Sequence, residues 1–355
     1  MEYREHAITK IEEFANKLIN DGLVSKWFDG TDELTRRVSG KFNGRLAEEL
    51  AKQSGYIDKD CIQMFRDGAP VTGALPESGL LEKAQPPKKD AMPLETLLAK
   101  AEAKNKELLS KLKPEKHGQH LLKEIMADVE KGRMTEPQKA ESLDLKAIVL
   151  SKRFGLEQGT KSDGSVKIRA VDDCTGSDLN GTITKTEKMV CDGVDKAILV
   201  AQWFDTNGQT DLSMGKVDIA SAYRRVPIKA DHRKLSWIAF KIDEQIMASR
   251  HNALCFGSTG SVYGWNRVGM FLTHVILHIL KLPTGRWVDD IFWVESNAVV
   301  SSPFSFCVQF ANSVIFIVEQ TKHTLECVDR LVKAILGPDA GTITYLVISL
   351  CMNVL

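Results

Sequence analysis

Arg286-Trp287-Val288-Asp289-Asp290-Ile291-Phe292-Trp293-Val294 is two apolar runs with a pair of aspartates between them. Valine, isoleucine and the aromatics favour extended chain and aspartate favours turns, so the stretch predicts a β-hairpin with an acidic turn. Upstream, Val217-Asp218-Ile219-Ala220-Ser221-Ala222-Tyr223-Arg224-Arg225-Val226-Pro227-Ile228 predicts a short strand over 216–219 ending in a carboxylate, then a helical turn. Between the two, Cys255-Phe256-Gly257-Ser258-Thr259-Gly260-Ser261-Val262-Tyr263-Gly264-Trp265-Asn266-Arg267 is a glycine-rich turn opening into a long apolar helix through Leu280. Earlier still, Lys167-Ile168-Arg169-Ala170-Val171-Asp172-Asp173, followed by Leu179-Asn180, sets two basic residues on a strand ahead of two acids.

A carboxylate at one strand end, facing a carboxylate pair in a neighbouring hairpin, suits hard divalent cations. In-line displacement at phosphorus is helped by two such ions about 3.5–4 Å apart. Magnesium prefers oxygen ligands, and waters and substrate phosphates complete its octahedron, so few side chains suffice. Each segment alone has a commonplace reading. Paired aspartates are usually plain turn residues, a D-x-x-x-A-Y string occurs in many helices, and an arginine on a strand is usually a surface charge. The information lies in four segments occurring together, in this order.

Together they resemble the catalytic motifs of reverse transcriptases from retroelements. Asp218 and Tyr223 match the D-x-x-x-A-Y motif, Val288-Asp289-Asp290 matches the x-x-D-D box, and Phe256-Gly257 with Ser261 matches the glycine-containing motif between them. The resemblance implies an α+β fold: a palm of antiparallel strands backed by helices, fingers over 145–199, and a helical N-terminal region. It implies metal ligation by Asp218, Ile219, Asp289 and Asp290, with two magnesium (or manganese) ions and Asp290 as the supporting third carboxylate. It also implies a nucleotide site of Lys167, Arg169, Tyr223, Phe256 and Gly257. Tyr223 would pack under the incoming sugar, and Arg169, four residues before Asp173, would contact the triphosphate, as a planar guanidinium suits phosphate oxygens. The implied partners are an RNA or DNA template-primer and deoxynucleoside triphosphates. The chain departs from the family in having Trp287 two before the aspartates, Cys255 before Phe256, and a short insertion before Leu179-Asn180. The resemblance covers roughly 147–295.

Around this region the organisation is plainer. Residues 1–72 predict a helical N-terminal region, with Ile8, Ile11, Phe14 and Leu18 on one helical face. Residues 73–93, rich in proline, glycine and lysine, predict a linker. Residues 94–143 predict helices, one starting at Pro93 and one over 118–132, whose many lysines read as a solvated face. Fingers and palm occupy 144–295, with strands expected at 147–150 and 166–171 and a turn at 159–164. Residues 296–355 form an atypical end: no charged residue occurs between Glu295 and Glu319, an ordinary amphipathic helix is expected over 321–338, and the final run is apolar. This pattern suggests an insertion at 296–318 and a chain that stops before a complete thumb.

Hydrophobic residues at 43% and charged residues at 26% are enough to build a buried core. Equal numbers of basic and acidic residues, 47 each, show no overall basic surplus for nucleic acid, although a neutral total can hide a basic channel. The seven cysteines lie scattered without CxxC pairs or zinc-finger histidines, so no structural zinc site is expected and a reducing compartment is. With no signal-like N-terminus and an apolar tail too short to span a bilayer, the protein is expected inside the cell, in nucleus or cytoplasm, and not in a membrane. Two rival readings stand beside an RNA-directed DNA polymerase: a non-catalytic palm-fold relic that binds nucleic acid or has no activity, and a helical interaction protein in which the carboxylates do not converge. A viral RNA-dependent RNA polymerase is disfavoured by Tyr223, where that family usually has a second aspartate.

Overall fold

In the computed structural model the chain folds as mixed α and β, described over residues 2–87, 89–160, 164–209, 211–296, 309–342 and 348–351, without the side chains of 309–322 and 341–351. Helices open it: α1 (Glu2–Asn20), α2 (Leu23–Trp27), α3 (Glu33–Ser39), α4 (Gly44–Ser54) and α5 (Asp60–Asp67). Then come β1 (Gly73–Ala74), α6 (Leu94–Lys111), α7 (Gly118–Glu130), β2 (Gln138–Lys139), β3 (Leu150–Thr160), β4 (Val166–Asp172), β5 (Ile183–Thr184) and α8 (Val194–Thr206). The rest is β6 (Asp211–Ile219), β7 (Trp237–Ile242), β8 (Gln245–Arg250), α9 (Thr259–Leu280), β9 (Thr284–Trp287), β10 (Asp290–Ser296), α10 (Gln309–Leu336), β11 (Gly341–Thr342) and β12 (Ile348–Cys351).

Two sheets organise these elements. The first runs β11-β6-β10-β9, with β12 also on β6, and every pairing is antiparallel. Side chains alternate across a strand, and here the alternation decides the site. Val217, Ile219, Ile291 and Trp293 face the main core shared with α1, α4, α5, α9 and α10. Leu212, Met214, Phe292 and Val294 face α8 through Ala197 and Ala201. Continuing that second face by steps of two reaches Lys216, Asp218 and Asp290. Gly215 lies opposite Trp293, and a Cβ there would come within 2.3 Å of the indole ring. The glycine makes room for the buried indole.

The second sheet, β2-β8-β7-β3-β4, is antiparallel except for the parallel β3–β7 pair. Ile238 and Phe240 pack on Leu121 and Ile125 of α7, while Ala239 and Ala248 pack among Leu108, Leu109 and Leu112 at the end of α6. The sheet is thus covered on both faces. Each large apolar side chain taken from water contributes on the order of 1.5–3 kcal/mol.

Several expectations shift in detail. Buried positions on α1 are Ile8, Ile11, Ala15 and Leu18, while Phe14 is exposed. The early strand begins at Leu150 rather than Ala147 and runs on to Thr160, because polar residues such as Glu157 and Arg153 are recruited into the hairpin with β4. Stretch 73–93, expected as a linker, is pinned along 181–188: Gly73 pairs with Ile183, and both the Ser78 and Gly79 amides donate to the Glu187 carboxylate. The amphipathic helix expected at 321–338 begins earlier, at Gln309. Residues 297–308, 343–347 and 352–355, with much of the suggested insertion and of the apolar tail, lie outside the described residues. Among the described residues no helix is long and apolar enough to cross a membrane.

Candidate functional site

Only Asp289 of the aspartate pair occupies the turn. Asp290 opens β10 and pairs with Trp287 on one side and Asp218 on the other, which leaves Val288 and Asp289 as a two-residue connection. Val288 has φ +57°. A positive φ at the first central position is normal for primed hairpin turns but is usually taken by glycine, and in a β-branched residue it costs roughly 1–3 kcal/mol. The surroundings hold it there. The Trp265 indole N–H and Arg286 Nη1 both donate to the Val288 carbonyl, at 2.9 and 2.7 Å, and the Ile219 amide donates to the Asp289 carbonyl at 3.0 Å.

The carboxylates gather on one side of the first sheet. Burial, then the charges of Asp289 and Asp290, push the Asp218 carboxyl above the usual carboxylate range. Burial also raises Asp289, with Asp290 adding to the effect and Arg169 and Lys216 opposing it. Such a cluster carries more negative charge than its surroundings offset, the condition that a bound dication relieves. The donors are hard oxygens, which suits magnesium or manganese. Lys216 takes part of Asp290, with Nζ 2.7 Å from Oδ2. Ile219 is different in kind. Its side chain is buried in the core, so its carbonyl is its only oxygen, and that already accepts from the Ala222 amide at 3.2 Å. Among the described residues, the acidic, histidine and cysteine groups whose donor atoms all lie within 4.8 Å of one another are Glu5-His323-Cys327 and Asp172-His251-Cys255. The three aspartates span more than that.

Of the residues expected to bind nucleotide, Lys167, Arg169 and Phe256 line one cleft, and Tyr223 packs beside Phe256. Tyr223 is buried, with its ring 5.0 Å from Phe256 and 6.3 Å from Trp265. Burial, then the charge of Asp289, raises its hydroxyl to about 12. Phe256 is exposed, and the Arg169 guanidinium stands 5.7 Å above its ring. Lys167 and Arg169, two apart on β4, are both exposed and line a cleft of about 450 Å³ that also takes in Lys131, Arg133 and Ser221. Gly257 has φ +103°, and a Cβ there would lie 1.9 Å from the Asp172 carbonyl, so no other residue fits. Asn180 clamps this loop, donating to the Gly257 carbonyl at 2.9 Å and accepting from the Thr259 amide at 2.8 Å. Asp173 instead caps its own turn, accepting from the Gly176 amide.

Beneath the cleft lies a buried polar chain that sequence reasoning missed. Arg153 makes a two-pronged contact with Asp172 at 2.7 and 2.9 Å. His251 is buried beside both: Nε2 is 2.9 Å from Asp172 and Nδ1 is 2.9 Å from Arg224 Nη1. A guanidinium can only donate, so Nδ1 accepts and the proton sits on Nε2, facing Asp172. Arg224 continues the chain to Asp128 at 2.8 Å. Burial, reinforced by the arginine charges, holds His251 down at about 4. Burial works the other way on Asp172, but Arg153 and His251 outweigh it and hold that carboxyl well below its usual range. The lone sequence signal was two oppositely charged residues, Arg153 and Asp172, just beyond the strands expected at 147–150 and 166–171. Cys174 and Cys255 are buried, Trp265 and Trp293 are core, and Trp287 is exposed beside the turn. No protein-family model matches this chain, and no curated protein matches it.

Proposed function

We propose that residues 144–295 form the fingers and palm of a reverse transcriptase-like polymerase that extends a primer on an RNA template with deoxynucleotides. One observation carries the reading. Asp218 pairs with Asp290 across β6 and β10 at the foot of a strained Val288-Asp289 turn, and Tyr223, Phe256 and Arg169 surround the same point. Strain that the surroundings over-determine is characteristic of functional sites.

In this reading Asp218, Asp289 and Asp290, with the Ile219 carbonyl, hold two magnesium or manganese ions. When bound, those ions stabilise the attacking and leaving oxygens of the displacement. The chain's own residues do the rest. Arg169 and Lys167 present positive charge to a triphosphate from the exposed face of β4. Tyr223, fixed between Phe256 and Trp265, forms a flat apolar floor for a deoxyribose and leaves little room for a 2′-hydroxyl. Asn180 and the obligatory Gly257 keep Phe256 in place.

The ion pair between Lys216 and Asp290 favours the alternative, a non-catalytic relic, because it neutralises one of the three carboxylates. Primer extension on an RNA template with magnesium or manganese, run beside Asp289→Asn, decides between them. Extension that the substitution abolishes supports the polymerase. No extension from folded, monodisperse protein supports the relic.

A further inference from the structure

Away from the aspartates, α1 and α10 bring together three groups of a different character. His323 and Cys327 are four residues apart on α10 and so share a helix face, and Glu5 of α1 lies against them. The Cys327 Sγ is 3.7 Å from His323 Nε2 and 3.9 Å from Glu5 Oε2, and His323 Nδ1 is 3.9 Å from the same oxygen. These separations are long for direct hydrogen bonds. The two sulfur separations are close to the edges of a tetrahedron around zinc, about 3.6 Å for a sulfur–nitrogen or sulfur–oxygen pair at ordinary zinc–ligand lengths, and one donor atom from each residue can be chosen so that all three lie within 4.8 Å of one another. Cys327 itself is wholly buried, with its thiol turned toward the carboxylate and the imidazole, while His323 and Glu5 reach solvent and leave a way in.

We propose that Glu5, His323 and Cys327 form a binding site for a thiophilic divalent cation, zinc above all, which ties α1 to α10. A thiolate and a carboxylate balance a dication, and a fourth position remains for water. Arg330 supplies the outer support. Its Nη1 lies 2.8 Å from Glu5 Oε1 and 3.0 Å from Oε2, and its Nη2 is held by Glu12, so a metal taking Oε2 replaces the longer of the two contacts while Oε1 stays bonded. A thiol binds the cation as thiolate, so binding releases a proton. The sequence shows no zinc-finger framework because one ligand comes from the opposite end of the chain.

The similar cluster of Asp172, His251 and Cys255 makes no such site. There Arg153 reaches both Asp172 and Nε2 of His251, and Arg224 faces the other side of the ring, so a cation would meet two buried guanidinium groups.

The test is a titration of the full, chelator-treated chain with cobalt(II), followed by displacement with zinc. The expected result is a near-ultraviolet thiolate-to-cobalt band with tetrahedral visible bands, saturating at a single cobalt per chain and bleached by zinc. Cobalt held by the aspartate cluster has only oxygen ligands and gives no thiolate band. Cys327→Ser should lose the band, His323→Ala and Glu5→Gln should each weaken binding by about tenfold or more, and Cys255→Ser should keep it. Zinc should raise the melting temperature of the wild type but not of His323→Ala, a readout that stands even if Cys327→Ser does not fold. Absence of a thiolate band at saturating cobalt, or its survival in Cys327→Ser, overturns the proposal, as does an equal zinc shift in His323→Ala. None of these readouts depends on polymerase activity.

Discussion

His251 offers a sharp test of the buried chain beneath the cleft. Free histidine titrates near 6.5, whereas His251, enclosed by Arg153, Arg224 and Asp172, is held at about 4. Between these values the unfolded chain binds a proton that the folded chain refuses. Stability therefore rises with pH across this window and is lost as pH falls from about 6.5 toward 4. At pH 5 the unfolded state is favoured through this one group by about 2 kcal/mol, against a few tenths at pH 7. Asp172 has the same sign, but its loss comes only below the ordinary carboxylate range and so outside the window. His232 and His278 are depressed too, while Asp218 and Asp289 are raised and act in the opposite sense; all four are common to the wild type and to a His251 variant. His251→Gln removes the titration and keeps a side chain able to accept from Arg224. Urea unfolding at pH 7 and pH 5 should show the wild type losing about 2 kcal/mol more than His251→Gln. If the two lose stability in parallel, His251 is not held neutral in the fold and the tautomer argument falls.

Gly257→Ala should cost at least about 2 kcal/mol in urea unfolding, since it combines a clash with the Asp172 carbonyl and a positive φ. Asn180→Ala frees the Gly257 carbonyl and the Thr259 amide, and should cost roughly 1–3 kcal/mol; if the site binds nucleotides, KM for deoxynucleotide should rise more than kcat falls. Asp289→Asn removes one of several crowded negative charges and should melt at or above the wild-type temperature by calorimetry while losing any extension activity. A clear drop in melting temperature would mean that the carboxylate is structurally needed.

How far the site could be read from sequence depended on the range of the forces involved. The β9–β10 hairpin was legible because a turn between two β-branched runs is a local property. Placing Lys216 and Asp218 on one face of β6 follows from strand alternation alone. What alternation could not reveal was the register that sets Asp218 opposite Asp290, or the strain at Val288, because both depend on Trp265 and Arg286 arriving from elsewhere in the chain. The 73–93 stretch looked like a linker from its prolines and glycines. Its backbone groups find their partners along 181–188, about a hundred residues away, and no local pattern announces that.

By itself, then, the sequence determined the elements and their chemistry: an acidic hairpin, a strand ending in Asp218, a glycine loop before a long helix, and basic residues on the exposed face of β4. These follow from residue volume, alternation and turn preference, which act over a few neighbours. Only the tertiary structure decided which charges are paired. Arg153 with Asp172, His251 between two arginines, and Glu5 beside His323 and Cys327 are encounters across 19 to 322 residues. Electrostatic energies depend on distance and burial, and sequence separation sets neither.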